Sequence, residues 1–192
     1  MRSIKKQRST KETAIDIELN LDGTGACDIE TGIGFLDHML TLFSFHSKID
    51  LNVSCKGDLE VDGHHTAEDI GLLLGDCISE ALGDKKGIER YGSVYLPMDE
   101  TLARVVLDIS GRPYLVYECD YQRFDLGGLD VQNIKEFFKS LSNTLGLTLH
   151  MSVLYGENDH HKAEALFKGF GRALKEAVKV TSDVLPSTKG VL

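Results

Sequence analysis

Between Thr13 and Asp22 the odd positions Ile15, Ile17, Leu19 and Leu21 are apolar, with Asp16, Glu18 and Asn20 between them. A period of two predicts a strand with one buried face. The basic residues ahead of it (Arg2, Lys5, Lys6, Arg8 and Lys11) read as a solvated leader. Asp22-Gly23-Thr24-Gly25 is a turn, and a short second strand is expected towards Ile29. Phe35, Leu36, Met39, Leu40 and Phe43 then follow helical spacing and leave Asp37 and His38 off the apolar stripe. Ile49, Leu51, Val53 and Cys55 alternate as a strand, Lys56-Gly57-Asp58 turns, and Leu59 and Val61 return. A helix opens at His64 and runs to about Leu82, where Gly83 and Gly87 end it.

The second half repeats the scheme. Leu102 to Ile109 reads as a strand, Ser110-Gly111-Arg112-Pro113 as a hairpin turn and Tyr114 to Cys119 as the return strand. Gly127-Gly128 is a loop, and Ile134, Phe137, Phe138, Leu141 and Leu145 make an amphipathic helix. Leu147 to Leu154 is a strand, Tyr155 to Asp159 a turn, and a last helix runs to about Thr181. The tail from Pro186 to Leu192 is the candidate for disorder. Each half thus reads strand, strand, helix, strand, strand, helix. The fold class is α+β, internally duplicated, with two similar halves (1–92 and 93–192), each a four-stranded sheet with helices on one face.

The duplication is sharpest where the chemistry is. His64-His65-Thr66-Ala67-Glu68 is answered ninety-six positions later by His160-His161-Lys162-Ala163-Glu164. At the same offset Gly75 falls on Gly171, Glu80 on Glu176 and Ala81 on Ala177, as an internal repeat would place them. On a helix, residues three and four apart share a face, so each glutamate lies beside both of its histidines. Adjacent histidines point about 100° apart, better placed for two ions than for one. Four of the seven histidines sit in these motifs, and imidazoles with carboxylates suit divalent first-row transition metals.

Superposing the halves sets His38 opposite Glu136, both early in the helix preceding the central hairpin, and both able to bind a metal. Symmetry assigns His38, His65, Glu68 and His161 to one ion and His64, Glu136, His160 and Glu164 to the other. Nitrogen-rich shells without thiolate favour manganese, iron, cobalt or zinc over magnesium or calcium. Arg90, Arg112, Lys168 and the terminal Ser187-Thr188-Lys189-Gly190 could hold a phosphate at the far end of a substrate.

Composition narrows the class. The chain has 192 residues, 42% hydrophobic and 27% charged, which is ordinary for a globular protein. No apolar run could span a membrane, and the first residues lack a signal-peptide core. Cys27, Cys55, Cys77 and Cys119 show no CxxC spacing and read as reduced thiols of a cytoplasmic protein. A net charge of -9 argues against nucleic acid as the partner.

GIGFLDHM at 32–39, DGHHTAEDIG at 62–71, NDHHKAEALFKGFGRAL at 158–174 and the terminal PSTKGVL resemble imidazoleglycerol-phosphate dehydratase. The resemblance covers essentially the whole chain. It implies a ribosomal protein S5 domain 2-like fold and dehydration of imidazole glycerol phosphate to imidazole acetol phosphate in histidine biosynthesis, through a metal-bound imidazolate. It further implies two manganese ions per site and a cage of twenty-four subunits whose sites are completed by neighbours. His38, His64, His65, Glu68, His160, His161 and Glu164 match the family's ligands. Glu136 stands where some relatives carry histidine. Glu12, Arg90, Arg112, Lys168, Ser187 and Lys189 match substrate-contacting positions. Elimination also needs acid and base groups, for which Glu12, Asp99 and His46 are the candidates, in that order. Two alternatives share the ligands: another dinuclear metal hydrolase, and a non-enzymatic metal-storing cage protein.

Overall fold

The alternating stretch from Thr13 becomes a strand buried on its odd positions, as its pattern requires. The computed structural model describes residues 2–192. The first half contains β1 (Ser3–Ser9), β2 (Thr13–Asn20), β3 (Cys27–Glu30), α1 (Gly34–Ser47), β4 (Asp50–Gly57) and α2 (His64–Leu82). The second contains β5 (Tyr91–Met98), β6 (Thr101–Asp108), β7 (Tyr114–Glu118), the short β8 (Asp125–Leu126) and β9 (Leu129–Asp130), α3 (Val131–Leu145), β10 (Thr148–Tyr155) and α4 (Asp159–Ala177). The sheets have the same order, β1-β2-β4-β3 and β5-β6-β10-β7, with β3 and β7 at one edge parallel to their neighbours and the other pairs antiparallel. The chain is therefore α+β and duplicated, each half with a four-stranded sheet and two helices.

Four details differ from the pattern reading. The basic leader is an edge strand, β1, paired antiparallel with β2. Its alternate cations turn onto α2, where Lys6 meets Asp76 and Glu80 at 2.6 Å and Arg8 meets Asp69 at 2.9 Å. Apolar periodicity could not find a strand whose inward positions are charged. Leu59 and Val61 form no return strand; residues 58–62 turn directly into α2, and β3 fills the vacant edge. β6 hairpins with β5, which pattern reading missed, so β7 crosses over to run parallel beside β10. Finally, α4 stops at Ala177 rather than near Thr181.

The helices of one half pack on those of the other, α2 on α3 and α1 on α4, with the sheets outside. The duplicated glycines sit at these crossings. A Cβ on Gly171 would lie 2.8 Å from the Phe43 carbonyl oxygen of α1, and one on Gly75 2.5 Å from that of Leu141 on α3. Phe43 stacks on Phe170 at 5.4 Å beside the first crossing. Backbone-to-backbone approach of this kind admits no side chain. Gly171→Ala should therefore cost about 1–3 kcal/mol by overpacking. Gly34→Ala, where a Cβ meets open space, should be nearly silent. Denaturation midpoints of the metal-free variants check both expectations.

Candidate metal centre

Each histidine pair opens a helix whose first turn is held by a polar side chain just ahead of it. Asn158 precedes α4, and its side chain accepts from the His160 and His161 backbone N–H groups at 2.9 and 3.4 Å. Asp62 does the same for His64 at 2.7 Å. Capping fixes the first turn, where two adjacent side chains diverge. The rings of His64 and His65 accordingly stand at 83° to one another, and those of His160 and His161 at 88°.

The α1–α4 crossing brings His38 over the first turn of α4. His38 Nε2 lies 2.7 Å and His160 Nε2 3.1 Å from the same oxygen of Glu164. All three donor atoms lie within 4.8 Å of one another, a group able to hold a metal ion. The other Glu164 oxygen accepts from Lys168 Nζ at 2.6 Å. Burial would raise the Glu164 carboxyl, but hydrogen bonds from Lys168, His38 and His160 outweigh it and hold the group at about 2. The carboxylate is thus charged and faces two imidazole nitrogens, a donor set that fits a borderline divalent ion. Within the chain His38 thus meets His160 and Glu164, whereas symmetry had set His38 with Glu68 and left His160 and Glu164 together. The helix crossing, not sequence parity, decides who meets whom.

The α2–α3 crossing carries the counterpart. His64 Nε2 lies 3.3 Å from Glu68, and its Nδ1 lies 3.3 Å from the Asn133 amide oxygen of α3. The left-handed residues that end α1 and α3, Lys48 and Gly146, align His38 with Glu136. Here Glu136 is paired with Lys139 at 2.9 Å.

His65 and His161 point away from both groups. His65 Nδ1 contacts Asp58 at 3.0 Å, and its Nε2 lies 3.7 Å from Glu12. His161 Nδ1 contacts Glu100 at 2.7 Å, and its Nε2 lies 3.8 Å from Asp99, a left-handed residue at φ 48°. The Asp58 contact raises the His65 imidazole pKa, and Glu100 raises that of His161. Glu100 itself is held far below the usual carboxylate range by the Asn158 backbone N–H and then by His161. Asp58, Glu100 and Asn133 were not anticipated. Glu100 could have been: Glu12-Thr13 and Glu100-Thr101 open equivalent strands, but the missed β5 hid the turn.

The remaining candidates are dispersed. Lys168 joins the His38 group, whereas His46 lies eight residues past His38, about 12 Å along the helix at 1.5 Å per residue. Burial and the positive charges of Lys168, Arg172 and Lys48 lower its pKa. Arg90 grips Asp108 through Nε at 2.7 Å and donates to the Pro186 carbonyl at 2.8 Å, so the tail is tied down. Arg112 is exposed, 3.9 Å from Asp108. Ser187 Oγ donates to the Val191 carbonyl at 2.7 Å and accepts from Lys189 N at 3.3 Å. These four residues lie at the opposite end of the β5–β6 hairpin from Asp99 and Glu100. Eight strand residues separate the ends by roughly 25 Å. The cysteines carry no disulfide, and burial pushes Cys55, Cys77 and Cys119 to about 11, 12 and 11, so these thiols stay protonated.

A duplicated α+β chain with a histidine–carboxylate group at a helix crossing is built to bind a metal ion. The sequence model described as imidazoleglycerol-phosphate dehydratase matches residues 31–174. The chain is similar to the Clostridioides difficile enzyme of that name (55% identity over 100% of both chains) and to that of an Exiguobacterium species (58%, over 99% of this chain and 98% of that one). It is also similar to the crystal structure of the Staphylococcus aureus imidazoleglycerol-phosphate dehydratase, with TM-score 0.85 and 44% identity, over 93% of this chain and 99% of that one. The chain belongs to the imidazoleglycerol-phosphate dehydratase family. Its reaction is a hydro-lyase step of histidine biosynthesis, removing water from imidazole glycerol phosphate to give imidazole acetol phosphate. The hydrolase and storage readings are thereby set aside.

Glu164→Gln keeps the shape of the His38 group but removes its one formal negative charge. Manganese affinity of the intact protein should fall by more than the roughly 10–100-fold of an outer-shell change. Calorimetric titration with Mn2+ checks this, and wild-type affinity would show that Glu164 is no ligand.

Proposed function

We propose that the chain performs this dehydration with two manganese ions per site, at sites shared between neighbouring subunits. The observation that carries the reading is the convergence of His38 Nε2, His160 Nε2 and Glu164 Oε1 within 4.8 Å. His64, Glu68 and Glu136 supply the counterpart group, and His65 and His161 the remaining imidazoles. When bound, such ions supply positive charge that lowers the pKa of an imidazole N–H held against them.

The chain's own residues do the rest. Glu12, on the Nε2 side of His65, takes the proton from the carbon beside the departing hydroxyl; Asp99, in the equivalent place beside His161, is the second proton-transfer group. His46 has no imidazole or carboxylate of the cluster in direct contact, and is a weaker candidate for the same work. Lys168 binds substrate charge beside Glu164. Arg90, Arg112, Ser187 and Lys189 hold the phosphate through charge-assisted hydrogen bonds.

A small substrate cannot bridge the roughly 25 Å between the two ends of one hairpin. The phosphate clamp and the metal group that serve one substrate therefore come from different chains. This supports a homo-oligomer, and we assign it the twenty-four-subunit cage that the resemblance implies. Residues 1–92 and 93–192 act as one catalytic unit made of two half-repeats. No helix of the described residues is long and apolar enough to cross a membrane. A cytoplasmic location, with no nucleic-acid partner, fits the biosynthetic role.

Manganese-loaded protein should convert imidazole glycerol phosphate to imidazole acetol phosphate. Lys189→Ala should lose a charge-assisted bond of about 1.5–3 kcal/mol and raise KM about tenfold or more, with metal content unchanged. Steady-state kinetics beside metal analysis tests this. Wild-type KM in the variant would mean that the tail takes no part in holding the phosphate.

A further inference from the structure

The second histidine of each pair has its Nδ1 against a carboxylate that is itself held from elsewhere. His161 Nδ1 meets Glu100 Oε2 at 2.7 Å. The other oxygen, Oε1, accepts from the Glu157 and Asn158 backbone N–H groups at 3.1 and 2.8 Å and from Thr101 Oγ1 at 2.9 Å. One carboxylate therefore joins the β5–β6 turn, the loop that caps α4 and the imidazole on its first turn. His65 Nδ1 meets Asp58 at 3.0 Å, and the Asp58 backbone N–H donates to the Glu12 carbonyl at 3.0 Å.

An ionised carboxylate can only accept, so it selects the imidazole tautomer with the proton on Nδ1. The lone pair is then left on Nε2, pointing away from the carboxylate. Position in the repeat adds a second point. Glu12 and Glu100 are counterparts, each just ahead of the threonine that opens β2 or β6. Yet Glu100 takes the Nδ1 side of its histidine, while Glu12 lies on the Nε2 side of His65 and leaves Nδ1 to Asp58.

We infer that Glu100 and Asp58 are positioning residues that set His161 and His65 for ligation through Nε2, and that the duplicated turn glutamate has divided its work, Glu100 orienting a ligand while Glu12 stays free to meet substrate. This rests on the metal centre proposed above. Metal-ligating histidines commonly donate their other ring N–H to such a partner, and its loss costs about 10–100-fold in affinity.

Glu100→Gln separates orientation from folding. The amide oxygen can keep the Oε1 bonds to the α4 loop, which turns the NH2 donor towards His161 Nδ1. That favours the tautomer with the proton on Nε2, where it blocks ligation. Asp58→Asn should act likewise on His65. Thr101→Val removes one Glu100 contact without touching the imidazole. Mn2+ affinity of the full-length protein and the thermal midpoint of its metal-free form are the two readouts. We expect Glu100→Gln and Asp58→Asn each to weaken Mn2+ binding about 10–100-fold with an unchanged metal-free Tm, and Thr101→Val to bind as wild type. Wild-type affinity in Glu100→Gln and Asp58→Asn, or affinity that falls only in step with metal-free Tm, overturns the inference. Wild-type protein that binds no Mn2+, or Glu164→Gln that binds it normally, overturns the metal centre instead.

Discussion

The close approach of α1 to α4 is the constraint on which the metal centre depends. His38 and the second histidine pair are more than a hundred residues apart, and nothing local holds them together. They meet because Gly171 leaves no side chain between the helices, so the backbone of α1 comes within van der Waals reach of α4. A wider crossing would withdraw His38 from the Glu164 oxygen it now shares with His160. Packing in the core and donor geometry at the surface are thus one feature seen at two depths.

Duplication explains why the donor face occurs twice and why the two copies differ. Gly75 repeats the close approach where α2 crosses α3, and His64 with Glu68 repeats the donor face. The copies then diverge. Glu136 stands where the other half has His38, and it is paired with Lys139, while Glu164 takes Lys168 into its shell. The two donor faces thus share an origin but stand in unequal surroundings.

Much of this was legible in the sequence because the repeat is long and polar residues mark it. The HHxxE pairs, the apolar stripes of α1 and α3 and the alternation of β2 and β4 follow directly from periodicity. β1 was not legible, because its inward positions carry lysine and arginine that find carboxylates only once α2 is folded beside it. Nor was the place of β7, since strand order depends on long-range pairing that no local pattern encodes. At the site, residue types marked the candidate ligands, but which of them meet within the chain depends on the helix crossings. Asp58 and Glu100 stayed hidden because a carboxylate in a turn is ordinarily a solvated one, and only its geometry against a ring nitrogen distinguishes it.

Anomalous diffraction at the manganese edge, from crystals of the manganese-loaded protein, shows directly whether a metal sits at the α1–α4 crossing. A manganese peak bounded by His38, His160 and Glu164 is expected. Strong manganese peaks elsewhere with none between those three side chains would contradict it.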